Sequence, residues 1–402
     1  MAKYTLYGDG IHDDTLAIQE MIDSAKYELT LPVPEKNYLI SKPLELPSDF
    51  CFILPRFAEI KLKKGSDCIM LKNKTKEDLA DRGGKRLWGY LNNFSPDYYC
   101  QNIEVRGGVW NFNNKEQREN PIVSKVSDFS NNYNGMGMLF FGVNGLRIAD
   151  LTLKDPVTFG ATLDKVSYFT VENIVFDFND GNPLPVNMDG IHMNGNCHHG
   201  FIRNLKGACY DDLVAINADE GTNGPITDIE IDGLYSEGCH SAVRLLTVKN
   251  RVANIHIRNV FGTYYQYCVG FTKYYPGELT GCFDAISVDH IYASKAKRLP
   301  KQEEHMGGGK TKHFPLIWLQ DETYTKNITI DTVHRCEYCN PIETIYVGKQ
   351  ATVENLVIKN VTVENHTDAP ISKFVNYGTV KKLFTEGLSD EEIENYGTIS
   401  AQ

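Results

Sequence analysis

The chain has 402 residues, of which 42% are hydrophobic and 23% charged, with a formal net charge of −11. That composition excludes a disordered or fibrous chain, and the acidic surplus argues against a nucleic-acid or anionic-membrane partner. No apolar run reaches the roughly 18 residues of a membrane span. No basic and apolar leader opens the sequence, so a cytoplasmic protein is expected, or a secreted one if a leader has been removed.

In chain order, the first signal is Gly8-Asp9-Gly10-Ile11-His12-Asp13-Asp14-Thr15, followed by Leu16, Ala17, Ile18, Met21 and Ile22 at amphipathic-helix spacing. Asp and Thr suit an N-cap and first turn, where open amides and the helix dipole favour anions. Residues 1–30 are expected to form a capping helix that plugs one end of a stacked structure, in preference to a catalytic or metal-binding carboxylate pair. The segment resembles the entry motif of pectin-lyase-like β-helix proteins, a likeness that bears on fold and not on chemistry.

Beyond the first hundred residues a short pattern recurs: apolar, x, apolar, x, then Asn or a small or polar residue, then apolar. It reads Ile103-Glu-Val105, Leu146-Arg-Ile148, Phe169-Thr-Val171-Glu-Asn173-Ile174 and Ile202-Arg-Asn204-Leu205. Further copies are Ile229-Glu-Ile231-Asp-Gly233, Ile255-His-Ile257-Arg-Asn259, Ile286-Ser-Val288-Asp-His290, Ile328-Thr-Ile330-Asp-Thr332 and Leu356-Val-Ile358-Lys-Asn360. Period-two alternation rich in Ile and Val is a strand signal. Copies recur every 23 to 43 residues, a spacing that means stacked supersecondary units, and no amphipathic helix fits between them. The expected fold is all-β: a right-handed, single-stranded parallel β-helix of about ten coils, with residues 1–402 as one domain.

The two longest steps imply loop insertions at 111–134 and 294–313. The second contains Gly307-Gly308-Gly309-Lys310-Thr311, but position 304 is Glu where a P-loop needs Gly, so a flexible loop is expected. Cys209, Cys239 and Cys268 lie one coil apart and predict a column of small buried thiols, unbridged. Cys336-Glu-Tyr-Cys339 and Cys197-His198-His199 lack further ligands at metal spacing and are expected at coil corners.

The chemical signal lies in residues 187–244. Asn187-Met188-Asp189-Gly190-Ile191-His192, Tyr210-Asp211-Asp212-Leu213-Val214 and Gly238-Cys239-His240-Ser241-Ala242-Val243-Arg244 open three equivalent strands, expected side by side at about 4.8 Å. Three carboxylates, a His and an Arg then converge on one face. Paired carboxylates suit glycosidic hydrolysis, one protonating the leaving oxygen while the other activates water. Strict alternation from Ile191 and Val214 points Asp189 and Asp212 inward, so the scheme needs a bend at each strand entrance.

These residues are similar to the polygalacturonase family of inverting β-helix glycoside hydrolases, with its Asn-Thr-Asp, Asp-Asp and Gly-His-Gly motifs. Asn187-Met188-Asp189, Asp211-Asp212 and, loosely, Cys239-His240-Ser241 stand for them. The resemblance implies that Asp211 is the general acid, that Asp189 and Asp212 activate water, and that His240 orients or tunes the acid. The family's Arg-Ile-Lys clamp falls where this chain has Gly270-Phe271-Thr272-Lys273; Lys273 remains, and Arg244 could replace the missing cation, a planar fork suited to a uronate carboxylate. Asn187, His192 and Tyr267, the last from a cluster with Tyr264, Tyr265, Tyr274 and Tyr275, are expected to contact sugar. The expected function is hydrolysis of a pectin-like or related oligo- or polysaccharide, with no cofactor or metal. A polysaccharide lyase or epimerase and a non-catalytic glycan-binding or tailspike-like protein are the alternatives. No signal fixes an oligomeric state.

Overall fold

The computed structural model describes residues 4–75, 97–120, 135–274, 277, 279–297 and 313–400. Most of both expected insertions, Tyr275 and the Gly307–Thr311 segment lie outside the described residues. The chain divides into two compact units, Met1–Gly200 with Glu220–Thr222, and Phe201–Asp219 with Asn223–Gln402.

In the first unit the motif copies become neighbouring strands. Cys100–Arg106, Met138–Ala149 and Ala161–Asp177 pair in parallel, so that Val105 lies beside Ile148 and Ile148 beside Val171. The ladder begins two coils earlier than the pattern indicates, because Glu28–Thr30 pairs with Cys51–Ile53 and Phe50–Ile53 with Ile103–Arg106. Two further parallel ladders complete each turn: Tyr38–Ile40, Glu59–Leu62 and Val109–Asn111 in one, Leu44–Leu46 and Leu71–Asn73 in the other. Helix Thr15–Ser24 buries Ala17, Ile18 and Ile22, and the Gln19 side chain bonds both the N–H and the C=O of Glu45. Leu16, expected on the apolar face, is exposed. Asp14 stands at the N-cap but makes no capping bond; its carboxylate instead accepts the amides of Tyr7, Gly8 and Leu39. Three backbone donors thus claim the carboxylate in place of the helix's own first-turn amides.

The second unit repeats the logic. Ile226–Leu246, Arg251–Thr272, Cys282–Lys295, Tyr324–Glu337 and Thr352–Asn365 pair in parallel, with Ile231, Ile257, Val288, Ile330 and Ile358 in one continuous row. All five are fully buried, each contributing roughly 1.5–3 kcal/mol by leaving water. A further coil follows, with Leu383 beside Leu356.

The polar fifth position of the motif is the corner that turns each coil. At that position Gly107, Asp150 and Asn173 in the first unit have φ of +81°, +59° and +57°. Asn204, Gly233, Asn259, His290, Thr332 and Asn360 in the second have φ between +52° and +80°. Left-handed backbone costs an ordinary residue about 1–2 kcal/mol and Gly or Asn less. The Asn corners also bond the previous coil: Asn173 donates to Asp150, Asn259 to Asp232 and Asn360 to Asp331, at 2.7, 2.7 and 3.0 Å.

All ten cysteines are unbridged. Cys209 and Cys239 stack as expected, the Cys209 amide donating to Cys239 Sγ at 3.3 Å. The third member does not follow: the register sets Tyr264, not Cys268, beside Cys239, because the pairing shifts on both sides of Cys239. Even spacing in sequence is broken there by a β-bulge.

Candidate active site

The bulge is also where the second unit builds its polar cluster. Asp212 opens the strand Asp212–Asn217 and pairs with Ser241, which pairs in turn with Tyr267. Asp212 nonetheless follows the alternation from Val214 and is fully buried; the register shift falls on the neighbouring strand pair, around Cys239. Ser241 Oγ donates a short hydrogen bond to Asp212 Oδ1 and lies 3.1 Å from His240 Nδ1. The same imidazole nitrogen is 3.4 Å from Asp211 and 3.9 Å from Asp212. Arg244 Nε stands 2.8 Å from the second oxygen of Asp212, and its guanidinium lies over the Tyr274 ring at 5.8 Å.

The two adjacent carboxylates therefore differ sharply. Asp212 is fully buried, its charge compensated by Arg244 and one oxygen taken by Ser241. Asp211 keeps 18% of its side chain open to solvent, beside a His240 that keeps 12%. The exposed member can exchange a proton with a bound molecule; the enclosed one is held in place. Ser241 was not singled out in the sequence, since it stands where the family has glycine.

The remaining second-unit candidates sit around this cluster. Tyr267 is fully buried, against the expectation of a sugar-stacking ring: it packs with Phe314, Trp318, Tyr346 and Val375. Its hydroxyl lies 3.4 Å from that of Tyr274, and burial pushes its phenol well above its ordinary value. Lys273 Nζ is 3.0 Å from Glu322, and its backbone amide donates to Gln320.

Asn187, Asp189 and His192 belong to the first unit, where they form a second polar cluster. Asp189 and His192 are each only 1% exposed. His192 Nδ1 bonds Asp189 at 2.5 Å, and Nε2 faces Glu220 at 2.9 Å and Asn194 at 3.1 Å. Phe159 stacks on the imidazole at 3.8 Å between centroids, and Asn194 continues to Asp164. Burial works against the charged imidazole, but the hydrogen bonds and charges of Asp189 and Glu220 prevail and raise its pKa to about 9. His192 is thus an enclosed imidazolium and not the surface sugar contact expected from parity with Asp189. Asn187 takes a left-handed turn at φ +57°, a backbone role that Asn fills readily. Glu220 carried no motif and was invisible in the sequence.

No protein-family model and no curated protein matches the sequence. Solved structures do match. An endo-xylogalacturonan hydrolase from Aspergillus tubingensis is 16% identical, with a TM-score of 0.50 over 99% of this chain and 94% of its own. At this identity the likeness is one of fold, and exopolygalacturonases share it. The surface adhesin PfbA of Streptococcus pneumoniae aligns over 99% and 91% of the two chains, at 14% identity and a TM-score of 0.55. The tailspike protein of E. coli bacteriophage HK620 aligns over 98% and 76%, at 11% and 0.57. Hydrolases and proteins named as adhesin or tailspike thus share this architecture, and the choice among them falls to the site. Among the described residues, no helix is long and apolar enough to cross a membrane.

Proposed function

We propose that the protein is a glycoside hydrolase acting on an oligo- or polysaccharide, with its chemistry on Asp211, Asp212 and His240. The observation that carries this reading is the unequal carboxylate pair: a solvent-reaching Asp211 at 3.4 Å from His240, next to an enclosed Asp212 fixed by Ser241 and Arg244. Asp211 protonates the glycosidic oxygen as the bond to the anomeric carbon breaks. A water adds to that carbon and loses its proton to solvent, with inversion if it attacks from the opposite face; Asp212, enclosed between Ser241 and Arg244, fixes that wall of the site. His240 positions Asp211 and relays its proton from solvent. Asp189 takes no step in this scheme, because its carboxylate is committed to the His192 imidazolium.

Both cations expected to receive a uronate are already opposite carboxylates, Arg244 with Asp212 and Lys273 with Glu322. An acidic chain with these pairs favours short or weakly charged sugars over a long polyanion. The test is a panel of neutral and uronate-containing glycans, read by product mass. Products that have gained water, abolished by Asp211→Asn with the fold intact, support the reading. Unsaturated products, or full turnover by Asp211→Asn, overturn it.

The second reading is a non-catalytic glycan-binding protein. It draws on the salt-bridged state of Asp212 and on the adhesin and tailspike architectures; binding without product release would select it.

A further inference from the structure

At the far edge of the second unit, the parallel register sets Cys336 directly beside Glu364, and Glu337 beside Asn365. The backbone pairing runs one residue further, with the His366 amide donating to the Glu337 carbonyl at 2.9 Å. Alternation then decides which side chains share a face. Val333, Arg335 and Glu337 are buried, whereas His334 and Cys336 point outward. On the next strand Glu364 shares the outer face with Cys336, and His366, two residues on, is exposed beside it. The ligand atoms of Cys336, Glu364 and His366 all lie within 4.8 Å of one another.

The imidazole of this group is already oriented. Its Nε2 bonds Glu364 at 2.8 Å, and the Tyr338 ring stacks parallel to it at 4.3 Å and 3°. The stacked ring thus limits the rotamers open to His366.

We propose that Cys336, Glu364 and His366 form a surface site for a divalent transition metal of the zinc class. One thiolate, one imidazole and one carboxylate are the donors that Zn²⁺ accepts, and they do not suit Ca²⁺ or Mg²⁺. A tetrahedral zinc with ordinary bond lengths holds its donors about 3.5 Å apart. The cluster reaches that spacing by small side-chain rotations on exposed strand ends, exchanging the Glu364–His366 hydrogen bond for metal bonds. Binding displaces the thiol proton to solvent and leaves one coordination position to water. The Cys336-Glu-Tyr-Cys339 segment contributes its first cysteine only. Cys339 lies outside the cluster, its amide turned to Glu337 Oε1 at 2.8 Å.

Co²⁺ titration of the full chain under a non-thiol reductant tests the site, because a thiolate ligand announces itself by a sulfur-to-cobalt charge-transfer band. One equivalent of Co²⁺ should produce that band together with tetrahedral visible absorption, and Zn²⁺ should displace both. Cys336→Ser and His366→Ala should each lose the band with an unchanged melting midpoint in the absence of metal, while Cys339→Ser keeps it. Cobalt bound without a thiolate band would place the metal at another donor set, such as Asp211, Asp212 and His240, which also cluster within reach of one ion. That result, retention of the band in Cys336→Ser, or no binding at all would each overturn the proposal.

Discussion

Replacing Asp189 by Asn tests whether the enclosed His192 is held charged by its carboxylates. The side chain keeps its shape and loses its charge, 2.5 Å from Nδ1. In the folded protein burial opposes protonation and the two carboxylates outweigh it, so the imidazole titrates near 9 in place of 6.5. A group whose pKa is raised on folding stabilises fully below its unfolded value. That contribution declines between pH 6.5 and 9 and is gone above. The shift corresponds to about 3 kcal/mol at pH 6, with little solvent screening because both side chains are nearly inaccessible. Urea unfolding at pH 6 and pH 9.5 measures it. The native protein should lose about 3 kcal/mol between the two from this group, Asp189→Asn about half of that, since Glu220 remains, and His192→Gln none. Other titrating groups cancel when the proteins are compared. An Asp189→Asn variant with the full native pH dependence would refute the reasoning. If the variant folds but loses glycan turnover at pH 6, Asp189 belongs to the chemistry after all.

Two further outcomes follow from the second unit. Arg244→Met leaves the fully buried Asp212 without its cation and should cost about 3–5 kcal/mol, seen as a lower melting midpoint; an unchanged midpoint would show that the pair contributes nothing. Asn360→Ala and Asn360→Gly both delete the bond to Asp331, but only Ala resists φ of +52°. The Ala variant should therefore be less stable by about 1 kcal/mol, and equal urea midpoints would show that the corner carries no backbone strain.

The coils were legible where strands are long. Ile255-His-Ile257-Arg-Asn259 shows both the inward pair and the corner, because alternation and a left-handed Asn each leave a mark on residue type. Among the described residues before 97 the strands are three or four residues long, as in Tyr38–Ile40 and Phe50–Ile53. So short a run alternates too little to stand out. The acidic residues were legible as a group but not in their surroundings. Asp189 precedes the strand Ile191–Met193, so period-two parity does not govern it, and its partner Glu220 arrives from a segment with no pattern. Ser241 meets Asp212 by the register of two strands far apart in sequence, and the shift around Cys239 rests on the pairing with the following strand; no local spacing encodes either.

The rows of aliphatic side chains have a consequence for how the chain finds its order. Ile257, Val288, Ile330 and Ile358 present nearly the same surface to whatever coil comes next, so hydrophobic contact alone does not forbid a coil from docking on the wrong neighbour. What labels a turn is its irregular hardware. The Asn–Asp corners recur from coil to coil, whereas the offset at Cys239 and the Arg244–Asp212 pair each fit one neighbour. The oily interior makes stacking favourable, and the offset and the charged pair act as addresses that keep the turns in sequence.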